Sequence, residues 1–286
     1  YRTSGSDVNF GQDTPPSPDT CLRVHSYNSP IVMDLALADG GLCPTHWQAS
    51  QFPKALRNRL SVVFDGIDTE RLQPAPERQQ QALKLRELTI DADVPLVTYV
   101  TRGFEPYRGW PQVAEGLALL LQRNPRAQVL LVGSDEVAYG VARSDGRSWY
   151  DWALEQWPMD PARVHRLPAL QYDEYLQVLQ RSWVHVYWTV PFILSWSLME
   201  SLASGCTLVA SDTPPVQEVI SSGEQGILVP FFDPEGLAAQ VDALLADAPE
   251  RRRLAEAGRR RIIEAGYSRH DCLQRQLAVI EQVMAA

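Results

Sequence analysis

Two arginines on one short segment are the first residues whose type and spacing point to chemistry. The segment TRGFEPYRG (101–109) follows an apolar run and holds Arg102 and Arg108, which are followed by Gly103 and Gly109. Guanidinium groups are permanent cations that bind phosphate oxygens in pairs, and glycine lets a backbone approach a ligand closely. The pair therefore predicts a diphosphate site. The alternative is that both arginines are solvated loop charges.

A second segment, PFILSWSLMES (191–201), predicts the start of a helix at Ser195, Trp196 and Ser197. The free backbone N–H groups at a helix start favour an anion. Glu200 follows about one turn later, where its carboxylate can accept hydrogen bonds from a ribose diol, as an acidic residue does in dinucleotide-binding folds. The alternative is an exposed helix glutamate that binds nothing.

Two further segments contribute weaker signals. In SDTPPVQEVI (211–220), we expect Asp212 and Thr213 to cap a helix and Glu218 to be solvated. Gly133, which opens the segment GSDEVAYG after another apolar run, permits close approach of a backbone to a ligand. Gly133 is therefore added to the candidate binding residues.

Other motifs are rejected as functional sites. The triplet Asp91-Ala92-Asp93 suits a divalent cation, but it precedes the first strand of the main sheet and so lies at the wrong end, and we expect no metal site. No GxGxxG follows a strand and no GxxxxGK[ST] occurs, so an NAD-dependent oxidoreductase and a P-loop NTPase lose their main support. The five histidines do not cluster, and His185 lies in a predicted strand, which favours structural roles.

The elements that must hold these residues alternate regularly from residue 95 onward. The predicted strands are PLVTYV, QVLLVG, VHRLP, VHVYW, TLVAS and GILVP. Helices are predicted near 110–122, 147–157, 171–180, 195–204, 234–246, 249–264 and 268–285. Alternation of this kind predicts βαβ units and a doubly wound parallel sheet with helices on both faces. Because ligands bind beyond the carboxyl ends of such strands, both candidate segments belong at one edge of the sheet.

The first 90 residues are less regular. Residues 1–20 predict a loop, 21–38 a helix, and GGLCPT a short strand. Thr45 is expected to cap a helix through HWQASQF, and LSVVFDGID predicts a second strand. Residues 70–90 are charged and rich in glutamine, and we interpret them as a linker without strands that leads into a helix.

Composition excludes several broad classes. A hydrophobic content of 45% supports a buried core, and a net charge of −9 argues against a general nucleic-acid-binding protein, which needs a basic face. The four cysteines are far apart and form no CxxC pair, which predicts reduced thiols in a cytosolic protein. No apolar run reaches the ~18 residues of a membrane span.

The order of these segments resembles glycosyltransferase family 4, whose members have two facing Rossmann-like domains, the GT-B fold. The resemblance rests on R-G-x-E-P-x-R-G after a strand, on R-V-H-R-L-P, and above all on S-L-M-E-S-L-A-S-G-C followed by T-P-P-V-Q-E-V-I. It implies a remnant of the N-terminal, acceptor-side domain and the crossover at 1–74. A nucleotide-sugar-binding domain follows at 75–265, and 266–286 is a C-terminal helix that packs back toward the N-terminal domain.

The resemblance also implies roles for individual residues. Arg102 and Arg108 take the places of the family's diphosphate clamp, Glu200 matches the second glutamate of E-x7-E, which holds the ribose, and the backbone around Leu167 edges the nucleobase. The first glutamate of that motif is replaced by Phe192, at the position that contacts the donor sugar in the family. This departure leaves the sugar identity and the turnover open.

The implied activity is transfer of a sugar from a nucleoside-diphosphate-sugar to a glycan or lipid-linked acceptor, with retention and without metal or cofactor. The incomplete N-terminal domain predicts that this chain binds the nucleotide-sugar but transfers sugar slowly or not at all. Two alternatives stay open: a non-catalytic nucleotide- or glycan-binding module, and a nucleotide-sugar 2-epimerase. The expected location is the cytoplasm. Peripheral association with the inner membrane, through the missing N-terminal domain, stays open. No nucleic-acid partner is expected.

Overall fold

A computed structural model describes residues 1–3 and 6–285, so Ser4 and Gly5 of the predicted 1–20 loop lie outside the described residues, as does Ala286. The first elements form a small N-terminal part. They are α1 (Pro18–Leu37), β1 (Gly41–Cys43), α2 (His46–Gln51), α3 (Lys54–Arg57) and β2 (Leu60–Val62). Strands β1 and β2 pair in parallel. The predicted cap is confirmed, because the Thr45 hydroxyl accepts a hydrogen bond from the Gln48 N–H at 3.0 Å.

The segment between this part and the main sheet is not the helix-bound linker that the sequence predicted. A 3-10 turn at Arg78–Gln80 leads into an antiparallel hairpin of β3 (Leu83–Leu85) and β4 (Leu88–Ile90). Leu83, Leu85 and Ile90 are buried, whereas Lys84 is exposed. Alternation with period two is the strand signal, and the charged surroundings concealed it over so short a run.

The remaining chain forms a six-stranded sheet in the order β10-β9-β8-β5-β6-β7, called the main sheet below. Its strands are β5 (Leu96–Gly103), β6 (Gln128–Ser134), β7 (Val164–Leu167), β8 (Val184–Tyr187), β9 (Leu208–Ser211) and β10 (Ile227–Val229). Every neighbouring pair is parallel. All six strands that the sequence predicted are therefore confirmed.

Helices cover both faces of the main sheet. They are α4 (Trp110–Arg123), α5 (Trp149–Gln156), α6 (Tyr172–Arg181), α7 (Trp196–Ala203), α8 (Pro214–Gln217), α9 (Pro234–Ala246), α10 (Ala248–Glu264) and α11 (Arg269–Ala285). One core cluster joins Val97 and Tyr99 of β5 to α4 and α9, while Leu96 packs on the opposite face with the β3–β4 hairpin. This arrangement confirms the doubly wound α/β fold, and burial on both faces explains the nearly continuous apolar strands.

The N-terminal part is joined to the main sheet by polar contacts as well as by the chain. The Arg259 guanidinium of α10 donates to the carbonyls of Ala203 and of Leu72, which lies in the segment that follows the N-terminal part. The Glu218 carboxylate accepts hydrogen bonds from the His46 and Trp47 N–H groups at the start of α2. The prediction that Glu218 is simply solvated is therefore wrong, because a carboxylate near a helix N-terminus stabilises the free N–H groups there.

The C-terminal helix lies against the residues that follow β2. Ile67 pairs with Ser268, and the Gln276 side chain donates to the Phe64 carbonyl at 3.3 Å. All four cysteines are free, in agreement with their spacing. In residues 1–3 and 6–285, no helix is long and apolar enough to cross a membrane.

Buried His185 predicts a pH-dependent stability. Its Nδ1 lies 2.8 Å from the Thr98 hydroxyl, and burial lowers its pKa to about 3. In the unfolded chain the histidine pKa is ~6.5, so it binds a proton at pH values where the buried His185 stays neutral. The stability of the fold is therefore at its full value above that pH and falls as the pH drops. We expect His185 to cost about 2 kcal/mol between pH 7 and pH 5.

The measurement is urea unfolding of the wild type and His185→Gln at both pH values. Other groups contribute equally to the two proteins, so the difference between them isolates the histidine. The wild type should lose about 2 kcal/mol more than the variant. Equal losses in the two proteins would show that His185 keeps an ordinary pKa.

Candidate functional site

A cavity of about 680 Å³ opens at the carboxyl ends of β5 and β8. Open parallel sheets bind ligands at this edge. The lining residues from the main sheet and from the helices and loops around it are Tyr99, Val100, Thr101, Arg102, Arg108, Val132, Tyr139, Ala169, Leu170, Tyr172, Tyr175, Tyr187, Trp188, Ile193, Leu194, Ser195, Trp196, Ser197 and Glu200. The N-terminal part contributes Pro44, Gln48 and Asp65.

Both predicted arginines line this cavity, in different environments. Arg102, near the end of β5, is exposed, and its backbone carbonyl accepts a hydrogen bond from the Ser134 hydroxyl at 2.9 Å. Arg108, at the end of the 3-10 turn Pro106–Arg108, is half-buried, and its guanidinium carbon lies 5.0 Å from the centre of the Tyr139 ring. The structure thus places one exposed and one half-buried cation at the same opening.

Three buried polar atoms of the cavity wall lack a partner. Within residues 1–3 and 6–285, Arg108 Nη1 and the hydroxyls of Tyr175 and Tyr187 form no hydrogen bond. Buried donors without partners are rare in proteins because each costs about 1–3 kcal/mol. A ligand with several acceptor oxygens would remove that cost, and a phosphate group has such oxygens.

The loop that carries Tyr139 is held by a buried carboxylate that the sequence did not single out. Glu105 is fully buried and accepts hydrogen bonds from the backbone N–H groups of Ala138, Tyr139 and Gly140 at 2.7–3.2 Å. Gly103 lets this loop approach β5, because a Cβ there would lie 2.0 Å from the Glu136 carbonyl oxygen. Gly103 therefore serves the packing of the loop and does not line the cavity.

The start of α7 brings Ser195, Trp196, Ser197 and Glu200 to the cavity together. Ser195 is the N-cap residue, but its hydroxyl pairs with that of Ser197 and caps no backbone N–H. The N–H groups of the first turn therefore have no side-chain cap, and they carry the partial positive charge of the helix.

Glu200 is oriented by a tyrosine of α6. The Tyr172 hydroxyl donates a hydrogen bond to Glu200 Oε1 at 3.0 Å. Burial and the Glu200 carboxylate raise the pKa of Tyr172 well above its usual value, so the phenol stays protonated and remains a donor. One carboxylate oxygen thus accepts a hydrogen bond from Tyr172, and Glu200 lines the cavity wall.

Gly133 and Leu167 do not line the cavity. A Cβ on Gly133 would lie 2.6 Å from the Thr101 carbonyl oxygen, so its space is taken by the neighbouring strand. The Leu167 side chain is buried in the core beside Leu130 and Val132. The cavity is reached two and three residues later, by Ala169 and Leu170.

Phe192 occupies a position in an aromatic cluster. Its ring lies 5.5 Å from that of Tyr107 and 5.3 Å from that of Tyr139, centre to centre. A carboxylate in its place would lose these ring contacts. The substitution therefore belongs to the same packing that supports Tyr139 and Arg108.

The parallel main sheet, its helices and the cavity at its carboxyl edge define the class of the protein: it has the GT-B glycosyltransferase fold. A sucrose-phosphate synthase from Thermosynechococcus elongatus superimposes with a TM-score of 0.67 at 22% identity, over 91% of this chain and 63% of that one. The structure of Anabaena HepE in complex with UDP-glucose superimposes with a TM-score of 0.75 at 17% identity, over 93% and 68% of the two chains.

The sequence specifies the family. The chain belongs to the glycosyl transferases group 1 family, whose model matches residues 80–261, and the model of the glycosyl transferase family 4 group matches residues 1–72. The resemblance seen in the sequence is thereby confirmed. The division into domains at 74 and 265 stays a prediction.

The curated relatives are transferases and synthases. An alpha-maltose-1-phosphate synthase of Mycolicibacterium smegmatis is 28% identical over 228 residues, which cover 74% of this chain and 54% of that protein. A phosphatidyl-myo-inositol mannosyltransferase of the same organism is 27% identical, over 79% of this chain and 62% of that protein. The chain thus spans between half and two thirds of these relatives. Neither the binding module nor the epimerase is favoured by them.

Proposed function

We propose that this chain forms the donor side of a glycosyltransferase that uses a nucleoside-diphosphate-sugar. The observation that carries the proposal is the unpaired Arg108 Nη1, buried in the wall of a cavity that also receives Arg102 and Glu200. Guanidinium groups suit the diphosphate, and a carboxylate suits the ribose diol. Family membership supports the same assignment.

In the proposed reaction, the bond between the anomeric carbon and the diphosphate oxygen breaks as an acceptor hydroxyl attacks the sugar, and the hydroxyl proton passes to the departing phosphate. Negative charge then grows on the departing phosphate. We propose that Arg108, Arg102 and the first N–H groups of α7 stabilise this charge, since groups that are already oriented do so at little reorganisation cost. No metal takes part in this proposal. Retention of the anomeric configuration is included on family grounds alone.

The acceptor is proposed to be a glycan or a lipid-linked glycan, and the site of action the cytoplasm. The proposal requires no membrane contact of the described residues.

Nucleotide binding tests the assignment. Isothermal titration of the chain with UDP, GDP, ADP and dTDP should show one clear preference, and Arg108→Ala should lose about tenfold or more in affinity for that nucleotide, as loss of a charge-assisted contact implies. Arg108→Lys keeps the charge without the fork, and it should recover only part of the loss. If none of the four nucleotides binds the wild type, the proposed function fails.

Tyr172→Phe tests the ribose contact through its effect on Glu200. Loss of the hydroxyl frees the carboxylate, and we expect about a fivefold to tenfold weaker affinity for the preferred nucleotide. The 2′,3′-dideoxy form of that nucleotide lacks the diol, so its affinity should be the same in wild type and variant. An equal loss for both nucleotides would mean that Tyr172 acts on the fold rather than on the ribose contact.

A further inference from the structure

The indole of Trp196 stands at the mouth of the cavity with much of its surface uncovered. All eight tryptophans lie within the described residues, and Trp196 is the one whose side chain is exposed, at 59%. Large aromatic rings bury apolar area readily, so an exposed one beside a binding cavity marks a surface that a ligand covers.

The orientation of this ring is fixed. The indole N–H donates a hydrogen bond to Asp65 Oδ2 at 2.7 Å. Asp65 follows β2, so the bond turns the side chain away from the main sheet and toward the N-terminal part. A ring held in one orientation binds a ligand with less loss of conformational entropy than a free one. The backbone N–H of Trp196 belongs to the first turn of α7, which the sequence analysis assigned to donor binding.

Polar groups from outside the main sheet share the cavity with the indole. Asp65 is hydrogen-bonded to it, and Gln48 and Pro44 line the same cavity. Gln48 Oε1 accepts a hydrogen bond from the Thr45 hydroxyl at 3.1 Å, which orients the amide. The flat apolar face thus has a carboxylate at its edge and an amide in the same cavity wall. A pyranose has the complementary surface, with C–H groups on its face and hydroxyls on its rim.

We propose that Trp196, Asp65 and Gln48 form an acceptor subsite, in which a sugar ring stacks on the indole and its hydroxyls bind the two polar side chains. The inference rests on the proposed function, since it places the acceptor ring beside the donor cavity. The subsite is assembled from both parts of the chain. It therefore exists only when the N-terminal part is docked on the main sheet.

The test measures sugar binding and nucleotide binding separately in the wild type and in Trp196→Ala. The probes are maltose, methyl α-D-glucopyranoside and methyl α-D-mannopyranoside, titrated by saturation-transfer NMR in the presence of the preferred nucleotide. At least one should bind the wild type, and the variant should bind it about tenfold more weakly, as for other ring-on-aromatic contacts. Nucleotide affinity should fall less than sugar affinity, because the substitution keeps the backbone N–H groups at the start of α7. Trp196→Phe keeps a ring and should retain more sugar binding than Trp196→Ala.

Phe232→Ala is the matched control, because Phe232 is 54% exposed and lies outside the cavity lining. Unchanged sugar binding in Trp196→Ala, or no binding of any probe to a wild type that binds nucleotide, overturns the subsite and leaves the proposed function intact. A loss confined to nucleotide affinity also overturns it, since the indole would then stack on the nucleobase. Absence of nucleotide binding in the wild type removes the proposed function itself.

Discussion

Arg102→Ala should lower kcat/KM for sugar transfer by about 10²–10³-fold, which corresponds to ~2.7–4 kcal/mol of lost transition-state stabilisation if the residue acts like one preorganised oxyanion donor. Arg102 is exposed at the end of β5, so its removal leaves no buried group unpaired. We therefore expect the unfolding free energy to change by less than about 0.5 kcal/mol. A large kinetic effect with little effect on stability is what a ligand-directed cation predicts.

The measurement uses steady-state kinetics of the complete gene product, together with urea unfolding of each variant. Arg123→Ala is the matched control, because it removes the same charge from the exposed C-terminal end of α4. Its kinetics should equal those of the wild type. Arg102→Lys should fall between the two, since an ammonium keeps the charge but loses the paired contact. An Arg102→Ala enzyme with unchanged kcat and kcat/KM would remove this residue from the mechanism.

The main sheet was predictable because its signals are redundant. Each strand is an apolar run followed by a helix of ordinary length, and parallel topology follows from that alternation. The hairpin at 83–90 was missed because two three-residue strands give a period-two pattern only four alternations long. Burial of Leu83 and Ile90 against β5 and β6 stabilises it, and that long-range contact is invisible in a local pattern.

The candidate site was predictable where a residue type implies a ligand, and only there. Arginines next to glycines and a glutamate near a helix start indicate ligands by their own chemistry, and the structure brings Arg102, Arg108 and Glu200 to one cavity. Tyr172 acts through another side chain, and Asp65 comes from a distant segment. Nothing in the residues adjacent to these two predicts such contacts, which arise from the tertiary fold.

Glu105 shows how much of the site depends on residues that touch no ligand. It holds residues 138–140 by their backbone N–H groups, Tyr139 then packs beside Arg108, and Phe192 supports Tyr139 from the other side. The motif R-G-x-E-P-x-R-G thus has a structural role, because its glutamate fixes the loop that its second arginine contacts. Loss of this carboxylate should affect both stability and binding.

Glu105→Ala should destabilise the fold by at least about 3 kcal/mol, because it leaves three backbone N–H groups without their acceptor at about 1 kcal/mol or more each. Glu105→Gln should cost about 2 kcal/mol, since an amide has one acceptor oxygen and turns an NH₂ group toward donors that need an acceptor. Urea unfolding measures both. Glu136→Ala removes an exposed carboxylate from the same loop and should change stability by less than about 0.5 kcal/mol.

Nucleotide affinity shows whether Glu105 positions the loop beside Arg108 or only stabilises the fold. In buffer without urea, at a temperature where Glu105→Gln remains folded, the affinity of this variant for the preferred nucleotide should fall about tenfold. The reason is that Tyr139 no longer fixes the Arg108 guanidinium. Affinity in Glu136→Ala should stay at the wild-type value. If Glu105→Gln loses stability but keeps full affinity, the loop does not position Arg108.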